Sequence, residues 1–199
     1  MMSDDRADNR LRRKIIKVSA IAGGVAAAGV FVPIAATMII RKQLPAEGDH
    51  VDVDLARLAT GQMITVDWLG KPIWILHRTA AMLATLSVVR EALADPDSER
   101  SSQPDYCRNE QRSLTPEFFV AVGLCTHLGC APIPRFRPGA DEGMPADWAG
   151  GFLCPCHTST FDLAGRAFKN REARENLLVP PYRLLADRRL RIGQHHGEG

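Results

Sequence analysis

Two short runs of this 199-residue chain combine cysteine and histidine at metal-ligand spacing. Cys125-Thr126-His127-Leu128-Gly129-Cys130 carries a C-x-H pair, and Cys154-Pro155-Cys156-His157-Thr158-Ser159 carries a C-x-x-H pair. Each run holds one further cysteine, Cys130 and Cys156. Two thiolates and two imidazoles can hold one zinc ion, or a two-iron two-sulfur cluster with both histidines on the same iron. Zinc loops more often pair two cysteines first and two histidines later. Here each loop is mixed, which favours the cluster and leaves zinc as the alternative.

The pattern C-T-H-L-G-C followed by C-P-C-H-x-S resembles the Rieske iron–sulfur subunits of cytochrome bc1 complexes. The Gly70-Lys71-Pro72-Ile73-Trp74 stretch resembles the bacterial members. The resemblance implies an all-β Rieske head domain, built of antiparallel sheets with a cluster-binding subdomain, on one N-terminal transmembrane helix. It implies Cys125, His127, Cys154 and His157 as ligands of one [2Fe-2S] cluster. A disulfide between Cys130 and Cys156 would staple the two loops, and it needs an oxidising compartment. Soluble Rieske ferredoxins and ring-hydroxylating oxygenases typically lack that extra pair. By the same resemblance, Ser159 donates a hydrogen bond to a bridging sulfide, and Leu128 docks against a quinol site. Two positions depart from the family. Phe161 stands where a tyrosine is common, and residues 170–174 replace a proline-rich cover, which implies a softer and more polar one.

The chemistry of such a site follows from its ligands. Histidines leave their iron less electron-rich than thiolates would, so potentials across the class run from roughly −150 to +300 mV. Each imidazole keeps a second nitrogen that can exchange a proton. His157 and His127 could therefore couple electron uptake to proton uptake from a quinol. The implied activity is that of a quinol–cytochrome c oxidoreductase subunit: one electron from quinol, passed on to cytochrome c1, with cytochrome b taking the other. Cytochrome b, cytochrome c1, quinol and membrane lipid are the implied partners, in a dimeric complex. The small subunit of another exported oxidoreductase, such as arsenite oxidase, is an alternative that lacks the Gly-Lys-Pro-Ile-Trp hairpin. A membrane-anchored zinc module doing no redox chemistry is a second alternative.

The elements that must position these loops are legible around them. Val51, Val53 and Leu55 alternate with polar or small residues, and residues 63–68 and 72–78 read as a hairpin about 69–71. Thr79 caps a helix over roughly 80–93, with Met82, Leu83, Leu86, Val89 and Leu93 on its apolar face. Residues 94–115 read as a surface loop, and Phe118–Val122 as a buried strand delivering the first run. The Pro- and Gly-rich stretch between the runs reads as an exposed excursion. Residues 151–153 lead into the second run, 161–166 read as strand and turn, and 183–186 with 189–192 form a last hairpin. His77 is read as structural, Gly129 as a position needing positive φ or close approach, and Cys107 as a small buried residue.

Length allows one substantial domain, residues 51–199, plus an appendage. Net charge is +2, and no basic patch interleaved with aromatics suggests nucleic acid. Residues 1–17 are basic and polar, whereas 18–40 run 23 positions without charge. That is roughly 34 Å of helix, enough to cross a hydrocarbon core of about 30 Å. Gly23, Gly24, Ala27, Ala28 and Gly29 suit packing on other membrane helices, and Pro33 invites a kink. Arg12-Arg13-Lys14-Ile15-Ile16-Lys17 also reads as a twin-arginine export signal. The basic flank expects a cytoplasmic N-terminus and a periplasmic head on a bacterial inner membrane. Residues 41–50 are expected to be a linker.

Overall fold

The computed structural model describes residues 13–14, 16–19, 50–139 and 143–197; among these, nine strands form three antiparallel sheets. The expected membrane span and linker lie outside the described residues, apart from Val18, Ser19 and His50. Residues 13–14 and 16–19 are helical. Among the described residues no helix is long and apolar enough to cross a membrane. Met1–Gly48 and Asp49–Gly199 are separate units.

Within the second unit, β1 (Val51–Asp54) pairs with β9 (Arg189–Ile192), which pairs with β8 (Tyr182–Leu185). Side-chain alternation turns Val53 and Leu190 inward and leaves Asp52 and Arg191 outside, joined at 2.6 Å. The second sheet joins β2 (Met63–Trp68), β3 (Lys71–His77) and β4 (Phe118–Val122). Leu69 and Gly70 close the first hairpin with φ of 55° and 70°, the double positive φ that a type I′ turn requires. Asp67 Oδ1 accepts the Gly70 N–H at 3.1 Å.

Four successive residues of β3, Ile73 to Leu76, are buried, so this strand is covered on both faces. Trp74 stacks on Phe152 with ring centroids 4.8 Å apart. Phe152 belongs to β6 (Gly151–Leu153), the centre of the third sheet, between β5 (Ile133–Arg135) and β7 (Thr160–Phe161). The Gly-Lys-Pro-Ile-Trp hairpin thus seats the sheet that carries the second metal-binding run. A Cβ on Gly123 would run into the Trp74 indole, so the chain between β4 and the first run needs glycine there.

Three expectations are corrected. The helix, α1 (Ala80–Val88), ends five residues before position 93. Thr79 Oγ1 accepts the Met82 N–H at 3.1 Å as expected. After Val89 the chain tightens into a 3-10 turn, Arg90–Ala92, and Leu93 becomes extended to bridge Phe168. Leu93 is fully buried in that pairing, so tertiary packing outweighs helical continuation.

Residues 94–115 are not simply a surface loop: Asp95, Ser98, Ser101, Cys107, Arg112 and Ser113 are buried. Their side chains satisfy backbone groups that strands would otherwise pair. Asp95 accepts N–H groups from Glu99 and Arg100, and Asn176 Nδ2 donates to Asp95 O and Ser98 Oγ. The stretch between the runs is likewise not a free excursion. It contributes β5, and Trp148 is buried with its indole N–H donating to Arg135 O at 2.8 Å.

Candidate functional site

The two runs are closed by the same backbone bond. The Cys125 N–H donates to Cys130 O at 2.8 Å, and the Cys154 N–H donates to Ser159 O at 2.7 Å. In both, the first cysteine reaches the residue five positions on. Gly129 has φ of 78°, which the turn back towards Cys130 demands, and its N–H donates to Cys125 O. The first run leaves β4, and the second is the loop between β6 and β7.

Folding brings the loops face to face. The His127 and His157 rings meet edge-on, with centroids 4.7 Å apart and planes at 78°. The Cys125 and Cys154 thiols are buried and interact directly. Burial pushes the Cys125 thiol up, and the neighbouring Cys154 adds to this; backbone N–H groups of His127 and Leu128 oppose it. Cys130 and Cys156 form the expected disulfide, with Cα atoms 6.6 Å apart. Cys154 Sγ lies within 4.8 Å of both bridged sulfurs, but those two are consumed by the bridge and offer no thiolate.

Two buried thiols and two facing imidazoles match the donor set of a [2Fe-2S] cluster with mixed ligation. One atom tests the fit: His127 Nδ1 is buried without a hydrogen-bond partner. A buried ring nitrogen with nothing to bond is costly unless it binds something. His157 and Leu128 lie exposed at the tip, and the leucine, 70 % exposed, is one of few large apolar side chains in water.

A third segment covers the site. The Ala173 N–H donates to Ser159 Oγ at 3.0 Å, and Thr126 Oγ1 donates to Glu175 O at 2.7 Å. The cover is more polar than a proline-rich one, with Arg171, Glu172 and Arg174 exposed. It is tied to both loops by hydrogen bonds. Ser159 is fully buried, and because its oxygen accepts from Ala173, its hydrogen is free to donate.

Sequence reasoning missed the buried arginines that brace the turn following the second loop and β7. Arg78 Nη1 donates to Leu163 O and Gln111 O, Arg112 Nη1 to Ala164 O, and Arg166 pairs with Asp162 at 2.7 Å. Asp162 Oδ1 also accepts the N–H groups of Ala164 and Arg166. The turn 162–166, directly after β7, is therefore held by three guanidinium groups. Burial lowers Arg78 and Arg112 to about 10, still well above neutral pH. A basic residue at 78, just past β3, is the one sequence signal available.

The remaining expectations fall as follows. Phe161 is fully buried on β7, opposite Phe152. His77 packs on Phe118, and its Nδ1 lies 2.8 Å from Leu58 O, a structural role as expected. Cys107 is buried, and its thiol donates to the Tyr182 hydroxyl at 3.7 Å.

Comparison with known proteins agrees with this geometry. The family model described as "Rieske [2Fe-2S] domain" matches residues 50–183. A protein of Allochromatium vinosum named ubiquinol-cytochrome c reductase iron-sulfur subunit is 44% identical over 190 residues, covering 95% of this chain and 91% of its own. Its namesake from Blastochloris viridis is 35% identical over 193 residues, covering 97% and 98%. That from Bradyrhizobium diazoefficiens is 37% identical over 202 residues, covering 97% and 100%.

Proposed function

Since the chain belongs to the Rieske [2Fe-2S] domain family, we propose that it is the iron–sulfur subunit of a bacterial ubiquinol–cytochrome c reductase. It takes one electron from quinol, together with a proton, and passes the electron to cytochrome c1, while cytochrome b takes the second. The observation that carries this reading is the meeting of two cysteine–histidine loops beside a disulfide, with His127 and His157 rings 4.7 Å apart.

Cys125, His127, Cys154 and His157 would hold the cluster. When bound, it supplies a one-electron acceptor whose potential the histidine ligands raise. The residues of this chain do the rest. Exposed His157 offers its free nitrogen to a quinol hydroxyl and takes up the proton. Leu128 supplies an apolar contact against the quinol site. Ser159, its oxygen held by Ala173, would have its hydroxyl hydrogen available for a cluster sulfur. The Cys130–Cys156 bridge fixes the loops against each other.

Residues 18–40 form the single membrane span, with residues 1–17 cytoplasmic and the head periplasmic. The uncharged run and its basic flank support this. The twin-arginine pattern supports export of an already folded head. Residues 41–50 link head and anchor, and the complex is dimeric in the membrane lipid. Low-temperature EPR of reduced membranes tests the function. A mixed-ligand [2Fe-2S] signal that co-purifies with cytochrome b is expected; a colourless, EPR-silent protein would reject it.

A further inference from the structure

The cover over the cluster loops carries a cleft whose charge is all of one sign. Arg100, Lys169, Arg171 and Arg174 line about 270 Å³ of space, with no aspartate or glutamate among the described residues that line it. Glu172 and Glu175 alternate with these arginines in sequence but do not line the cleft. Arg100 is held in place by Ala94 O at 2.8 Å and Arg174 O at 3.4 Å, and Lys169 by Glu91 O at 2.8 Å. These hydrogen-bond partners are carbonyls, and of the four cations Arg100 also acts on the buried Asp95 carboxylate. The ion pairs Arg90–Asp97, Arg166–Asp162 and Arg191–Asp52 all lie outside this cleft.

Phe168, Lys169, Asn170 and Arg171 are shared with an adjoining trough of about 290 Å³, walled by Met144, Trp148 and Val89. Among the described residues, Asp147 is the acidic side chain that lines that trough. A cationic cleft continuous with an aromatic trough suits a carboxylate beside an apolar anchor side chain. At about 290 Å³ the trough suits one large side chain rather than the paired acyl chains of a phospholipid. The segment bearing the arginines is hydrogen-bonded to both cluster loops, through Ala173 to Ser159 and through Glu175 to Thr126. A partner anchored here is brought to the rim of the redox site.

We infer that this cleft and trough dock the electron-accepting protein partner through carboxylates and one apolar anchor on the partner's face. The inference deepens the function proposed above and rests on it. Complementary charge of this kind speeds encounter by about 10- to 1,000-fold at low salt and fades once the Debye length falls to a few ångström.

The test uses the full-length, cluster-loaded chain in detergent, reduced, and the double variant Arg171→Glu/Arg174→Glu. EPR of the wild type before any oxidant is added tests the function reading separately. One electron then passes from the chain to hexacyanoferrate(III), giving hexacyanoferrate(II), or to cationic tris(phenanthroline)cobalt(III), giving its cobalt(II) form. At low salt the variant should react about tenfold more slowly with the anionic oxidant and faster with the cationic one, with both differences vanishing in high salt. Poly-L-glutamate should slow oxidation of the wild type by hexacyanoferrate and leave the variant unaffected. A general disturbance of the site would move both oxidants the same way and overturn the inference, as would no change in either. Unchanged oxidant rates with lost flotation on phosphatidylglycerol vesicles would also overturn it, assigning the cleft to lipid instead.

Discussion

The amide of Ala173 donates to the hydroxyl oxygen of Ser159 at 3.0 Å, with both residues buried. This contact decides the polarity of the serine: its oxygen is engaged, and its hydrogen points elsewhere. On the proposed ligation, Ser159→Ala removes a donor to the electron-rich reduced cluster, and it strands a buried N–H. A net hydrogen bond is worth about 0.5–1.5 kcal/mol, or roughly 20–65 mV for a one-electron couple. The potential should fall by that amount in a redox titration, with the EPR signal retained.

Alanine at Cys125, His127, Cys154 or His157 should abolish the cluster, whereas serine at Cys130 and Cys156 together should leave some assembled at lowered stability. Iron and acid-labile sulfide content, with EPR, checks both. Normal iron and sulfide after loss of His127 would remove it from the ligand set.

Phe161→Tyr places a phenol on β7, next to the second loop. If its hydroxyl reaches a cysteine sulfur, the added donor favours the reduced state. The potential should then rise by some tens of millivolts, and by no more than about 100 mV. Titration of both variants at one pH decides; an unchanged or lowered value with an intact cluster means that Thr158 or Thr160 already fills the role.

Asp162 is 1% exposed and serves Arg166 and two backbone amides at once. Asp162→Ala leaves the Arg166 guanidinium buried without its counter-charge, which costs about 3–5 kcal/mol. Denaturant unfolding of the cluster-loaded chain should show this loss. An effect below about 1 kcal/mol would show that the turn stands without its carboxylate.

Burial pushes the Cys107 thiol up to about 11, partly opposed by its contact with the Tyr182 hydroxyl. The folded state therefore binds the thiol proton more tightly than the unfolded one. That stability is complete below about pH 9 and is lost as pH rises towards 11, about 2–3 kcal/mol in all. Burial also raises the Tyr182 hydroxyl, so some alkaline loss remains without the thiol. Cys107→Ala should flatten the fall between pH 9 and 11, read by unfolding across that range.

The metal-binding runs and the hairpin were legible because each rests on local spacing: C-x-H, C-x-x-H, and strand alternation about Leu69-Gly70; the disulfide, between cysteines 26 positions apart, was legible only through the family resemblance. The end of α1 was not, because Leu93 leaves the helix to meet Phe168, 75 positions along the chain. Polar residues 94–115 look solvated until Asn176 and Tyr182 fold against them. The burial of Arg78, Arg112 and Arg166 has no local signature for the same reason: it depends on distant carbonyls at Leu163, Ala164 and Leu86. Ser159 was recognisable, but its partner at Ala173 was hidden in a segment that departs from the usual proline-rich pattern.

Both bonds that fasten the cover to the cluster loops use its backbone alone, the N–H of Ala173 and the carbonyl of Glu175. The exposed side chains at 171, 172 and 174 are thereby released from any duty in holding the site together. Natural variation could rewrite them while the redox centre beneath stays as it is. On the docking inferred above, the cover works as an address label: changing the side chains at 171 and 174 would redirect the same electron carrier to a differently charged acceptor, without relearning how to bind its iron.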